Sequence, residues 1–343
     1  MGHRSGVRTE SDSGEYVRRW PGSAHEASRF LSGHLAAGVP VDALPTDTER
    51  YGYDEPPRLS APRLIEGDSF RAVSVGAGNH LPRETGFAGF LDGTQDLRPV
   101  RQLAGISILW ATVSAAVRVR VNRRLVTWAA RPPIVSGRYY LPFRYVPDLP
   151  PELRDDSRVV DTAKPDRNGK FPSRHPAALI EAAIARIRHD RERIEQELAE
   201  AWCRSEQSVL FVDGSITGSR DVASSSRAVG VIKSHRQLYA DDEAFPVLVG
   251  LKPGERSSVF RVDSDTRSSV ASWYLRLRTA AGRDALFGLV RVEASLSPDM
   301  SARADEISRW ILAEGTPLAL PDGRWDKMTY GIRDTEEFLR AIT

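Results

Sequence analysis

The chain has 343 residues, 41% of them hydrophobic, enough for a packed core in one large domain or two ordinary ones. No apolar run is long enough to span a bilayer and the N-terminal stretch lacks the apolar centre of a secretion signal, so the expected compartment is the cytoplasm and no membrane partner is expected. A single cysteine, Cys203, excludes an internal disulfide and a cysteine-rich zinc site, which leaves oxygen or histidine ligands for any metal. The net charge is +2, and the 48 basic residues are mostly arginine. Arginine suits bidentate phosphate contacts, but GC-rich coding also enriches it, so charge alone does not prove a nucleic-acid partner.

Residues 1–65 are rich in Gly, Pro, Ser and charge, with one short helical pattern from Ala27 to Leu35, and read as an N-terminal arm or cap. His25 and His34 within it lack metal-ligand spacing. From Phe70 the texture becomes β-branched and alternating: FRAVSV, TGFAGFLDGTQ, ISILWATVSAAVRVRV and RLVTWAA read as successive strands of a mixed or antiparallel sheet. Residues 147–176 have turn composition. A long helix is then predicted from Pro176 to Arg204, with Ile180, Ile184, Ile187, Ile194, Leu198 and Trp202 forming one apolar stripe. Strands are predicted at SVLFVDGS, AVGVIKS, FPVLVGL, SSVFRVD, SWYLRLR and ALFGLVRVEA, and amphipathic helices around Ala302 to Ala313 and Glu336 to Ile342. These elements predict an α/β fold: a ribonuclease H-like mixed sheet flanked by helices, in a domain spanning 66–343.

Two apolar strands end in Asp-Gly, at Asp92 and Asp213. Such a strand delivers its carboxylate to the sheet's carboxyl edge, where the glycine admits a turn or a substrate. Either motif alone is more often just a turn; two on the most apolar strands suggest convergence. Phosphodiester hydrolysis by two cations needs a further acid, and the helix before Asp213 offers several. Strand Ser208 to Asp213 spans about 17 Å, which a helix matches in about 11 to 12 residues. Counting back from Arg204 reaches Glu192 to Glu195. At about 100° per residue, Glu195 flanks the apolar stripe and Glu192 points away, so Glu195 is favoured, with Glu192 and Glu181 as alternatives.

In this order the motifs resemble the NurA family of nucleases: Asp92-Gly93-Thr94, a long helix bearing a glutamate, LFVDGS, AVGVIKSH with Lys233, and a strand from Leu289 to Glu293 reading VRVE. The resemblance runs from about Gly86 to Thr343. It implies a manganese- or magnesium-dependent DNA nuclease that processes DNA ends in repair or anti-phage defence, as a homodimer with a HerA-type hexameric ATPase. Asp92, Glu195 and Asp213 would be metal ligands, and Lys233 would contact the phosphate backbone. The family's last active-site residue has no evident counterpart, and His235, Asp241 and Asp242 stand unranked. No P-loop is present, so the chain does not read as the ATPase, and no nucleophile elbow surrounds Ser215 or Ser226. The competing readings are a catalytically inert ribonuclease H-like DNA-binding or scaffold subunit, and a nucleotidyl or phosphoryl transferase using the same carboxylates.

Overall fold

The structure is a computed structural model that describes residues 58–343, apart from 77–80, 83, 123, 147–148, 167, 236, 265–266, 281–282 and 316–326, together with Val17–Arg18 and Arg29. Apart from Arg29, the predicted helix from Ala27 to Leu35 lies outside the described residues, as do His25 and His34. The fold is α/β, with one mixed sheet flanked by helices as the sequence predicts.

The strands that position the site are β1 (Phe87–Leu103), β2 (Ile106–Val121), β3 (Ile134–Leu141), β4 (Val209–Asp213), β5 (Ala228–Ile232), β6 (Phe260–Ser264), β7 (Arg267–Arg276) and β8 (Leu289–Ala294). β1, β2 and β3 form an antiparallel meander. β4 then joins the outer side of β1 in parallel, and β5 joins β4 in parallel. β8 and β7 continue the sheet antiparallel. Two parallel joins beside a meander require a crossover, and the helices supply it.

Four helices matter here: α1 (Pro176–Ser205), α2 (Ala244–Gly250), α3 (Met300–Glu314) and α4 (Tyr330–Ile342). The predicted stripe of α1 packs on one sheet face, with Ile184, Ile187, Ile194, Leu198 and Trp202 buried against Leu91, Leu210 and Val212. Ile180 is only half-buried, and Ala183 and Ala199 share the buried surface. The Trp202 indole donates to the Ser208 carbonyl at 2.9 Å, tying the helix end to the start of β4. On the opposite face, Phe87, Phe90 and Phe211 form an aromatic cluster capped by Ile307 and Ile311 of α3 and Ile332 of α4. A side chain at Gly331 would collide with the Phe90 ring, so this glycine lets α4 lie close on β1.

Three local expectations change. FPVLVGL, expected as a strand, is the helix α2. An apolar run this short carries no decisive period, and Asp241 settles it by accepting the Ala244 amide at 2.9 Å at the helix start. β3 was not anticipated; both its faces are buried, so IVSGRYYL shows no alternation. Finally, residues 58–64, read as part of the arm, form two short strands: Arg58–Ser60 pairs with Gln237–Tyr239, and Arg63–Leu64 pairs with β6. Just beyond them Glu66 is buried, receiving Arg256 at 2.7 and 2.9 Å, the Val259 amide at 2.8 Å and the Ser301 hydroxyl at 2.7 Å. Among the described residues, no helix is long and apolar enough to cross a membrane.

Candidate functional site

Parallel pairing sets the register of the two aspartates. Leu91 pairs with Val212, so Asp92 and Asp213 are the next residues of adjacent strands, roughly 4.8 Å apart along the hydrogen-bonding direction. Leu91 and Val212 point to α1, and the aspartates therefore point to the other face. Both line a cleft of about 790 Å³ at the carboxyl edge of β4. Asp213 ends β4, whereas β1, expected to stop at Asp92, runs on through Gly93 to Leu103 paired with β2, so Asp92 is an interior residue of its strand. Asp92 is buried and accepts the Gly93 amide at 2.7 Å. Burial above all, and then the charge of Asp213, holds its carboxyl well above the usual carboxylate range.

Glu195 reaches this edge from the α1 side. A Cβ at Gly93 would stand on the Glu195 carboxyl, so the missing side chain of the Asp-Gly motif is what opens a place for the glutamate. Glu195 and Asp213 both line a smaller cleft of about 350 Å³ that shares Gly214, Ser215 and Arg191 with the larger one. Arg191, one turn earlier on α1, forms an ion pair with Glu195 and donates to Gln95 at 3.3 Å. Glu192 is exposed, as helical phase predicts, and Glu181 is half-buried about four turns before Glu195. Burial pushes Glu195 up to about 7 despite Arg191, with Asp213 and Glu192 adding to the rise.

Lys233 follows β5 directly and sets its ammonium on the Asp213 carboxylate at 2.8 Å. Thus the four residues selected from sequence, Asp92, Glu195, Asp213 and Lys233, meet around the carboxyl end of β4. His235, Asp241 and Asp242 do not line the cleft. The His235 Nε2 atom donates to the Leu289 carbonyl at 2.7 Å, and burial lowers this imidazole to about 4, which keeps it neutral. Asp241 caps α2, and Asp242 is exposed. Ser215 binds Thr217 and Glu293, while Ser226 is exposed.

Three acids of the cleft carry no role in the sequence reading: Asp263, which is ion-paired with Arg63 and Arg261, Glu293 and Glu336. Glu293 on β8 is buried and accepts the Ser215 hydroxyl at 2.8 Å, the Ile216 amide at 3.0 Å and Arg291 at 2.7 Å, which fixes the turn leaving Asp213. Its place in the alternating VRVE strand was visible, but its partners were not. Glu336 of α4 also lines the cleft, on a helix whose pattern gives only an amphipathic face. Arg188, Arg191 and Arg291 add positive charge to the same walls.

The donor set at this edge is carboxylate oxygen, the chemistry that hard divalent cations take. Crowded, partly desolvated carboxylates are also what a divalent cation would relieve, so the residues fit such an ion. Among the described residues, no three His, Cys, Asp or Glu side chains are grouped tightly enough to hold a metal in the present arrangement. The ammonium of Lys233 and the guanidinium of Arg191 instead sit on two of the carboxylates. No protein-family model matches the chain, and no curated protein matches it.

The raised Glu195 carboxyl has a measurable signature. Its folded value, about 7, exceeds the ordinary 4.5, so its contribution to stability is complete below about pH 4.5 and is lost as pH rises to about 7. His235, lowered to about 4, acts oppositely between about pH 4 and 6.5, because folding there must keep it neutral. Comparison with Glu195→Gln cancels the histidine. In chelator, thermal melting of the unsubstituted chain should fall relative to Glu195→Gln as pH rises from 4.5 to 7. Parallel melting curves for the two proteins would place Glu195 in water.

Proposed function

We propose that the protein is a metal-dependent deoxyribonuclease that hydrolyses phosphodiester bonds, with Asp92, Glu195 and Asp213 as its metal ligands. The observation that carries this reading is the meeting of two aspartates on adjacent parallel strands with a glutamate that enters over Gly93, beside a cleft whose walls carry Lys233 and Arg191. Manganese or magnesium bound there would activate water and neutralise the leaving oxygen. Lys233 and Arg191 are placed to orient a phosphate by charge-assisted hydrogen bonds. Glu293 keeps the turn after Asp213 in position through Ser215 and Ile216.

The test is a divalent-metal titration with linear duplex and single-stranded DNA. Glu195→Gln should lower cleavage on the order of 100-fold or more, because even outer partners of metal ligands are worth about 10- to 100-fold. Glu192→Gln, on the exposed side of the helix, should change the rate by less than about twofold. Equal losses in the two variants would mean that the helix acts only through its overall charge.

The ion pairs Lys233–Asp213 and Arg191–Glu195 favour a second reading, an inert ribonuclease H-like DNA-binding or scaffold subunit whose carboxylates serve only the fold. DNA binding without cleavage under manganese and magnesium would select it. The resemblance to NurA nucleases adds the rest of the proposal: a cytoplasmic homodimer that processes DNA ends with a HerA-type hexameric ATPase, in repair or anti-phage defence. The same cleavage assay with and without such an ATPase, on protein whose mass in solution has been measured, addresses both partners.

A further inference from the structure

The cleft holds its charges in a closed arrangement. Lys233 is bound to Asp213 at 2.8 Å, and the two side chains are 8% and 16% exposed. Arg191 is bound to Glu195, with 23% and 14% exposure. Both cations line the cleft in which a phosphate would lie. Neither can give its full charge to a phosphate while a carboxylate holds it, and neither carboxylate can give all its lone pairs to a metal while a cation sits on it. Asp92, the third acid, instead accepts a backbone amide.

We propose that Lys233 and Arg191 are exchangeable counterions: they rest on Asp213 and Glu195 in the metal-free protein and pass to the DNA phosphate when divalent cations take those carboxylates. Metal and DNA backbone then bind cooperatively. The inference rests on the metal site of the nuclease reading and adds to it a rule for the order of loading. Charge counting gives its direction. In the closed state each of the two cations rests on a carboxylate, Lys233 on Asp213 and Arg191 on Glu195, which leaves neither free for a polyanion; divalent cations on those carboxylates free both basic side chains. Because coupling free energies are reciprocal, DNA must tighten metal binding by the factor by which metal tightens DNA binding.

The exchange has a consequence that a lysine serving only phosphate would not produce. Removing a competing cation should strengthen metal binding. Calorimetric titration of the full chain with manganese, without DNA, should show affinity rising about tenfold in Lys233→Met and in Arg191→Met, within the usual span of coupling between sites. Fluorescence anisotropy with a labelled single strand, in calcium to avoid turnover, should show about tenfold tighter DNA binding to the unsubstituted protein than in chelator. Each variant should lose most of that gain. Arg191 lies on a helix flank and is partly exposed, so its variant carries the test if Lys233→Met fails to fold. Manganese affinity that is unchanged or weaker in the folded variants would overturn the exchange. An unsubstituted chain that binds no divalent cation would instead overturn the metal site.

Discussion

Asp92→Asn and Asp213→Asn should each lower metal-dependent cleavage by at least about 100-fold, with opposite effects on the stability of the metal-free protein. The amide keeps the volume of the carboxylate and removes the charge that would hold a cation. For stability the two sites differ. Asp92 is buried beside Asp213, and ionising it is costly, so a neutral amide relieves repulsion and should raise the melting temperature in chelator. Asp213 carries the ammonium of a nearly buried lysine, and its amide would leave that cation without a counterion. Asp213→Asn should therefore cost about 2 kcal/mol of stability. Cleavage and melting curves, with and without manganese, read both effects. If both variants cut at the unsubstituted rate, the site lies elsewhere; if both stabilise equally, Lys233 does not depend on Asp213.

Asp213 was legible because an apolar strand stopped by Asp-Gly has few uses; Asp92 was picked out by the same motif although its strand continues to Leu103, and parallel pairing put both on one face. Glu195 was legible through two fixed lengths, the rise of a helix and that of a strand, together with helical phase. What composition did not disclose is how Glu195 arrives. It comes from the opposite side of the sheet, through space that only a glycine at 93 provides, so the glycine serves the glutamate as much as the turn. The contributions of Glu293 and Glu336 were hidden for a different reason. Each sits on an element whose periodicity reports only which face is buried, while membership of a cleft depends on which strands become neighbours. β3 and α2 show the same limit at the level of the fold. A strand buried on both faces and a seven-residue apolar helix share one composition, and only Asp241 at the helix start and Arg276 at its end separate them.

Arg276 marks where the largest loss of stability without loss of chemistry is expected. Its guanidinium is fully buried on β7, yet it binds carbonyl oxygens: Val249 at 3.1 Å and Leu251 at 3.2 Å at the end of α2, and Ala285 at 3.0 Å and Phe287 at 2.5 Å in the turn before β8. A cation there satisfies the carbonyls that a helix end leaves open and complements its dipole. Burial lowers its pKa, with the charge of Asp284 acting the other way, yet a guanidinium keeps its proton in a folded protein. Arg276→Met would fill the stem's volume and leave those oxygens buried without donors. Each such group costs about 1–3 kcal/mol, and partial relaxation makes a total of about 3 kcal/mol the reasonable expectation. For a chain of this size that is a fall in melting temperature of about 4 °C. Arg261→Met, which removes a half-exposed ion pair with Asp263, should cost less than about 0.5 kcal/mol. Arg276 does not line the cleft, so DNA cleavage measured well below the melting point should stay within about twofold. A variant that melts normally would show that water reaches those carbonyls, and one that melts early and also loses cleavage would show that α2 and the turn before β8 hold Glu293 and the loop after Asp213 in place.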